Sequence, residues 1–153
     1  DLFRRARALG LTTSLDTNWD PSGRWEGVLD LLPLVDVFLP NAAEACALAG
    51  TSEVEMAARK LASLASVVAV KLGAEGALGV RGEQIVRVPS LSVPIVDTVG
   101  AGDNFDAGFL YGLLHGWPLE RALRLGTVCG ALSARAAGGV AAQPTLEEAL
   151  MFL

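Results

Sequence analysis

Histidine and cysteine are scarce in this sequence: one His and two Cys in 153 residues. A catalytic triad or a histidine metal cluster needs partners beside the imidazole. His115 instead precedes Gly116 at the end of an apolar helical stretch, so it reads as a helix C-terminal cation. Cys46 and Cys129 sit inside alanine-rich helical patterns and neither has a CxxC partner. They read as reduced, packed thiols of a cytoplasmic protein, not as a disulfide or a metal site. Charge is also sparse, at 19% of residues, with a net charge of −5. That balance excludes a general binder of nucleic acid or of anionic membranes, which need clustered Lys and Arg. The one basic cluster, Arg4, Arg5 and Arg7, reads as a solvated helix face, and it interrupts the first apolar run, so no targeting signal is visible. No stretch reaches about 18 uninterrupted apolar residues, which excludes a membrane-spanning helix. Internal repeats and low-complexity linkers are lacking too.

What is present is a large apolar fraction, 52%, enough for one domain with a buried core. "DLFRRARALG" reads as the tail of a helix stopped by Gly10. "LTTSLDTN" is β-branched and alternating, a strand ending at Asp16–Asn18. "DPSGRWEGVLDLLPLV" offers a turn and a short helix, and "VDVFLP" a short strand closed by Pro40. "NAAEACALAG" is an alanine-rich helix with Asn41 as N-cap. "SEVEMAARKLASLA" is another, with Ser52 and Glu55 at capping-box spacing. "SVVAVKLG" is a near-continuous apolar run, as a strand buried on both faces should be. "GALGVRG" and "QIVRVPSL" read as a hairpin or edge pair, "SVPIVDT" as a strand, and residues 101–115 and 118–137 as helices. "TLEEALMFL" begins one more. Strand and helix alternating at this spacing predict an α/β fold with a mainly parallel sheet, whose ligands bind at the carboxyl ends of strands.

"VDTVGAGDNFDAGF", residues 96–109, concentrates glycine and aspartate between two apolar stretches. Phe105, Phe109 and Leu113 fall on one helical face. Gly108 and Gly112 form a small stripe beside them; each costs about 1 kcal/mol against Ala, so the stripe predicts close backbone approach. Gly100, Ala101 and Gly102 lie at the helix start, where the first N–H groups lack intrahelical acceptors and the dipole is positive. That is an anion site. Asp103 in the first turn has two readings: a helix-capping carboxylate, or a general base beside the anion. Asn41 and Glu44, three apart, fit an N-cap pair as well as a group near Mg²⁺ and phosphates. Lys71 and Gly73 follow the buried strand, where a nucleotide would lie, and a solvated lysine is the alternative. A Rossmann fingerprint would require glycine where Phe105 stands, and neither Lys60 nor Lys71 follows a P-loop glycine pattern.

"DTVGAGDNFDAG" resembles the second signature of the ribokinase-like (PfkB) carbohydrate kinases, D-T-x-G-A-G-D-x-F-x-x-G. Asp97, Thr98, Gly100, Ala101, Gly102, Asp103, Phe105 and Gly108 fill every fixed position. "NAAE" resembles the family's N-x-x-E motif, "KLGAEG" its nucleotide-binding strand end, and "GGVAAQPT" its C-terminal loop beside the adenine. The resemblance implies a ribokinase-like three-layer α/β/α fold. It implies ATP- and Mg²⁺-dependent phosphorylation of a hydroxyl on a sugar or related small molecule. Asp103 would be the base and Gly100, Ala101 and Gly102 the anion hole. Asn41, Glu44, Lys71, Gly73 and Gly76 would serve the nucleotide, Glu44 reaching Mg²⁺ indirectly. Asp97, Val99, Ala136, Gly139, Ala141 and Thr145 would cradle K⁺ in members that use it.

The resemblance further implies that residues 1–153 form the C-terminal, nucleotide-binding part of one kinase domain. The family's N-terminal half, with its first glycine signature, sugar contacts and lid, has no counterpart here. Such a chain alone would bind nucleotide, leave sugars untouched, and pair its open sheet edge with another copy as a homo-oligomer. "SLDTNWDP" resembles the D-x-N-x-R strand of acid-sugar members, but Asp20 stands in the Arg place, with Arg24 nearby. The alternative is a non-catalytic nucleotide-binding or assembly protein of the same fold.

Overall fold

A computed structural model describes all 153 residues. The chain divides into two compact units, residues 1–70 with 78–85, and residues 71–77 with 86–153. Helix α1 is Leu2–Ala8, β1 Ser14–Leu15, α2 Val28–Leu31, β2 Val37–Phe38, α3 Ala42–Ala49, α4 Val54–Ala62, β3 Val67–Lys71, β4 Ala77–Arg81 and β5 Gln84–Val88. The strand order is β1-β2-β3-β4-β5. Strands β1, β2 and β3 are parallel, with Ser14 opposite Val37 and Val37 opposite Val67. The connection from β4 to β5 is only Gly82 and Glu83, too short for anything but a chain reversal.

In the first unit, Leu32, Phe38, Leu39, Leu61, Val68 and Val70 are at most 1% exposed. Each such side chain stabilises the fold by about 1.5–3 kcal/mol. Helix α1 contributes no buried residue, and its three arginines are exposed. Strand β1 is much shorter than the run from Leu11 to Asn18 predicts. It sits at the sheet edge, and its neighbour β2 offers two residues before Pro40. The capping box expected at Ser52 does not form: Glu53 is the N-cap of α4 and no side chain caps it. Thr51 Oγ1 instead accepts from the Glu53 N–H at 3.2 Å.

The second unit holds α5 (Ala101–Leu114), α6 (Leu119–Ser133) and α7 (Leu146–Leu150). Residues 91–99 form no strand, contrary to the alternation of "SVPIVDT". Pro94 has no N–H to give a ladder. The Val96 and Asp97 amides both donate to the Ala134 carbonyl, at 2.9 and 3.2 Å. The same bonds close the C-terminus of α6, which stops at Ser133, short of 137. Helices α5 and α6 approach closely through glycine. A Cβ on Gly108 would lie 2.8 Å from Cys129 Sγ, and one on Gly130 2.9 Å from the Ala101 carbonyl. Phe105 and Phe109 stack at 6.0 Å, and burial pushes the Cys129 thiol pKa up to about 11. His115 ends α5 as expected, its Nδ1 2.8 Å from the Tyr111 carbonyl. No helix is long and apolar enough to cross a membrane.

Candidate functional site

The glycine turn before α5 is fixed by its neighbours in the second unit. Asp97 Oδ1 accepts from the Val99 N–H and Oδ2 from the Gly138 N–H, both at 3.0 Å. These two amides, Gly138 first, hold the Asp97 carboxyl below the usual carboxylate range. Gly100 has φ 74°, and a Cβ there would stand 2.9 Å from the Gly139 Cα. Both facts demand glycine. Asn104, 7% exposed, donates its Nδ2 to the Gly100 carbonyl at 2.8 Å and the Gly139 carbonyl at 3.2 Å. One buried amide thus ties the turn to the C-terminal glycine loop.

Gly100 is the N-cap of α5, and no side chain caps this helix. Of the three amides the family signature implicates, that of Ala101 already donates to the Thr98 carbonyl at 3.1 Å. Asp103 lies in the first turn and is exposed. Its carboxylate makes no side-chain capping bond. Lys71, at the end of β3, places Nζ 3.3 Å from each carboxylate oxygen of Asp106, with side chains 15% and 12% exposed. That Nζ is 3.7 Å from where a Cβ on Gly102 would be. An ammonium and the uncapped helix start therefore converge.

Gly73 opens a single 3₁₀ turn, Gly73–Glu75. Gly76 has φ 96°, and a Cβ there would come 2.0 Å from the Val88 carbonyl, so only glycine fits. A cleft of about 200 Å³ is lined by these glycines, by Lys71, Thr98 and Gly102, and by Leu91, Val93, Ile95, Phe105 and Ala131. Cationic and amide groups with an apolar wall suit a ligand that is anionic in one part and flat and apolar in another.

The remaining predicted residues are spoken for locally. In the first unit, Asn41 Oδ1 accepts from the Glu44 N–H at 2.9 Å, and Glu44 Oε2 accepts from the Asn41 N–H at 3.0 Å. Thr17 Oγ1 donates to the same Oε2 at 3.2 Å, and Glu44 is 3% exposed. Thr145 caps α7, its Oγ1 accepting from Glu148. No group of three or more His, Cys, Asp or Glu side chains could hold a metal ion. Of the residues named for K⁺, the Gly139 carbonyl already accepts from Asn104 and the Asp97 carboxylate from the Val99 and Gly138 amides. Asp20 accepts from the Ser22 and Trp25 amides within its own turn, at 2.8 and 2.7 Å.

Asn104 and Asp106 escaped sequence reasoning because both occupy variable positions of the signature. The i, i+3 spacing of Asp103 and Asp106 was the available sign of a second carboxylate on that face.

Residues 2–146 match the pfkB family carbohydrate kinase profile. The chain is 38% identical over 156 residues to the 2-dehydro-3-deoxygluconokinase of Bacillus subtilis, covering 96% of this chain and 48% of the relative. It superposes with a TM-score of 0.88 on the fructokinase of Vibrio cholerae O395 bound to fructose, ADP and calcium, at 28% identity, over 99% of this chain and 53% of that one. On the Arabidopsis thaliana ribokinase complexed with ribose and ATP the TM-score is 0.85 at 26% identity, over 99% and 50%. The chain spans less than half the length of the curated relatives it matches, from 38% to 48%. The fold is the ribokinase-like α/β fold. With the glycine turn, the Asp103 position and the match over residues 2–146 all in agreement, the chain belongs to the pfkB family of carbohydrate kinases.

Proposed function

We propose that this chain is the nucleotide-binding, C-terminal part of a cytoplasmic kinase that transfers the γ-phosphoryl group of ATP to a hydroxyl of a sugar or sugar-like molecule. The observation that carries the reading is the start of α5: an uncapped turn, an exposed carboxylate within it, and the Lys71 ammonium alongside. Phosphoryl transfer places charge on equatorial oxygens and is catalysed by positioning and electrostatics. The Gly100 and Gly102 amides face that charge, with Ala101 joining if its bond to Thr98 is shared. Asp103 accepts the proton of the attacking hydroxyl. Lys71 neutralises phosphate charge, and the Gly73–Gly76 turn and the apolar wall take the nucleoside. Mg²⁺, held chiefly by the phosphates, would neutralise charge on the nucleotide, with Asn41 and Glu44 acting on its surroundings. K⁺ would sit on the carbonyls of Val99, Ala136, Gly139 and Ala141, near Asp97 and Thr145.

For this chain alone, the reading gives weak binding of Mg·ATP or Mg·ADP without sugar phosphorylation, and self-association through the open edge of β1. Titrating nucleotide at fixed Mg²⁺ should raise the melting temperature as RT ln(1 + [L]/Kd). Absence of any shift at millimolar nucleotide would sink the reading for this chain, and efficient turnover of a sugar would show that the chain alone suffices.

A further inference from the structure

We propose that Asp106 is a positioning residue that holds the Lys71 ammonium aimed at the phosphoryl group beside Gly102. This rests on the phosphoryl-transfer reading of the α5 turn and adds to it a residue that no family motif supplies. Lys71 belongs to β3, whereas the turn and Asp103 belong to α5. A flexible four-carbon stem from another element does not by itself keep an ammonium in register with a helix start. Asp106 supplies that register. It lies one turn after Asp103 on the same helix, and both its carboxylate oxygens are 3.3 Å from Nζ. The helix itself is fixed: Phe105 and Phe109 are at most 5% exposed, and Gly108 leaves no room for a methyl group against Cys129. The geometry thus indexes the cation to the same rigid body as the amides and the base.

With side chains 15% and 12% exposed, the pair is largely shielded from water, so it holds its geometry better than an exposed ion pair does. The 3.7 Å approach to the Cβ position of Gly102 shows that Nζ already stands at the helix start, so it need not swing in from solvent. Two roles for Asp106 differ in the sign of their effect on anion binding. Asp106 is itself an anion close to where phosphate binds. If it acted through its charge on the ligand alone, removing that charge would tighten anion binding. If it acts by positioning Lys71, removing it weakens anion binding.

The test is calorimetric titration of this chain with inorganic tripolyphosphate and with ADP, at fixed Mg²⁺. Asp106→Asn, Lys71→Met and the double variant are compared with the parent, and melting curves are recorded alongside. Expected are affinities about tenfold weaker for each single variant and no further loss in the double, as for two residues acting as one unit. Asp106→Glu, which restores the carboxylate, should recover part of the loss. It also serves as the deciding variant if Asp106→Asn lacks a cooperative melt: binding by Asp106→Glu equal to or tighter than the parent then overturns the proposal. Unchanged or tighter binding by a folded Asp106→Asn overturns it. So does a fall in melting temperature with affinity intact, which would make the pair structural only, and so does additive loss in the double variant. No binding of either probe by the parent would overturn the anion-site reading itself, and this inference with it.

Discussion

Helices α3 and α5 each carry an acidic residue at the third helical position, Glu44 and Asp103, and they treat their first amides in opposite ways. At α3, Asn41 and Glu44 close on each other and Thr17 completes the carboxylate. The N-cap of α5 is a glycine in the left-handed region, with no side-chain cap at all, and its acidic residue points to solvent. The first arrangement satisfies orphan donors from within and contributes about 1 kcal/mol. Apart from the Ala101 amide, which donates to the Thr98 carbonyl, the second leaves its donors to water or to a ligand, and fixes the turn from behind through Asp97 and Asn104. Both stretches carry Asx and acidic residues, so composition does not separate them. What separates them is whether the carboxylate folds back on the helix start.

The sharpest way to break this comparison is Asp103→Asn in the full-length protein. Turnover should fall by about 10²–10⁴-fold, the usual loss for a general base. Nucleotide affinity should be kept or improved, because a like charge leaves the phosphate site. Steady-state kinetics with separate nucleotide titration read both quantities. Turnover within a few-fold of the parent would return Asp103 to a dipole-compensating role like that of Glu44.

At α3 the same kind of substitution should register in a different observable. Asn41→Ala should cost about 1 kcal/mol of stability by chemical denaturation. Glu44→Gln, which keeps an acceptor oxygen, should barely change stability and should raise the Mg²⁺ concentration needed for activity. An unchanged Mg²⁺ dependence would confine this pair to capping.

The smallest effect concerns the support behind α5. The folded Asp97 carboxyl titrates below its unfolded value because two amides donate to it. Its contribution is therefore present above the ordinary aspartate range, about pH 4, and is lost as pH falls through the lower folded value. The Gly138 amide should exchange faster with solvent on acidification below about pH 4, and Asp97→Asn should remove that dependence. A Gly138 amide with a flat pH profile, beyond the intrinsic exchange rate, would detach Asp97 from the loop.

Much of this contrast was written in local sequence. The glycines of "VGAGD" mark a helix start needing open backbone, and the Gly108 and Gly112 stripe announced close packing that the structure contains. "VVAVK" forms the interior strand its apolar run predicts. Other features depend on residues distant in sequence. The alternation at 91–97 looks like a strand, yet its amides go to Ala134, some forty positions away in the chain. The length of β1 is set by what β2 can pair with. Ser52 has the spacing of a cap, but Glu53 takes the N-cap position and no side chain caps α4. Lys71 read as either solvated or nucleotide-facing; its link to Asp106 spans 35 residues and belongs to tertiary structure alone.

Where α5 meets α6, a Cβ added at Gly108, Gly112, Gly126 or Gly130 would fall 2.8–3.0 Å from a neighbouring atom. At Gly130 that neighbour is the carbonyl of Ala101, the first residue after the turn. Packing at this density leaves no slack to absorb a methyl group. The position of the reactive turn is therefore set by atomic radii one helix away. Variation that leaves chemistry untouched on paper, a single alanine on the face of α6 that meets α5, therefore displaces the turn that carries Asp103. Sequence drift in this unit is free on the solvent faces of its helices and blocked along one seam.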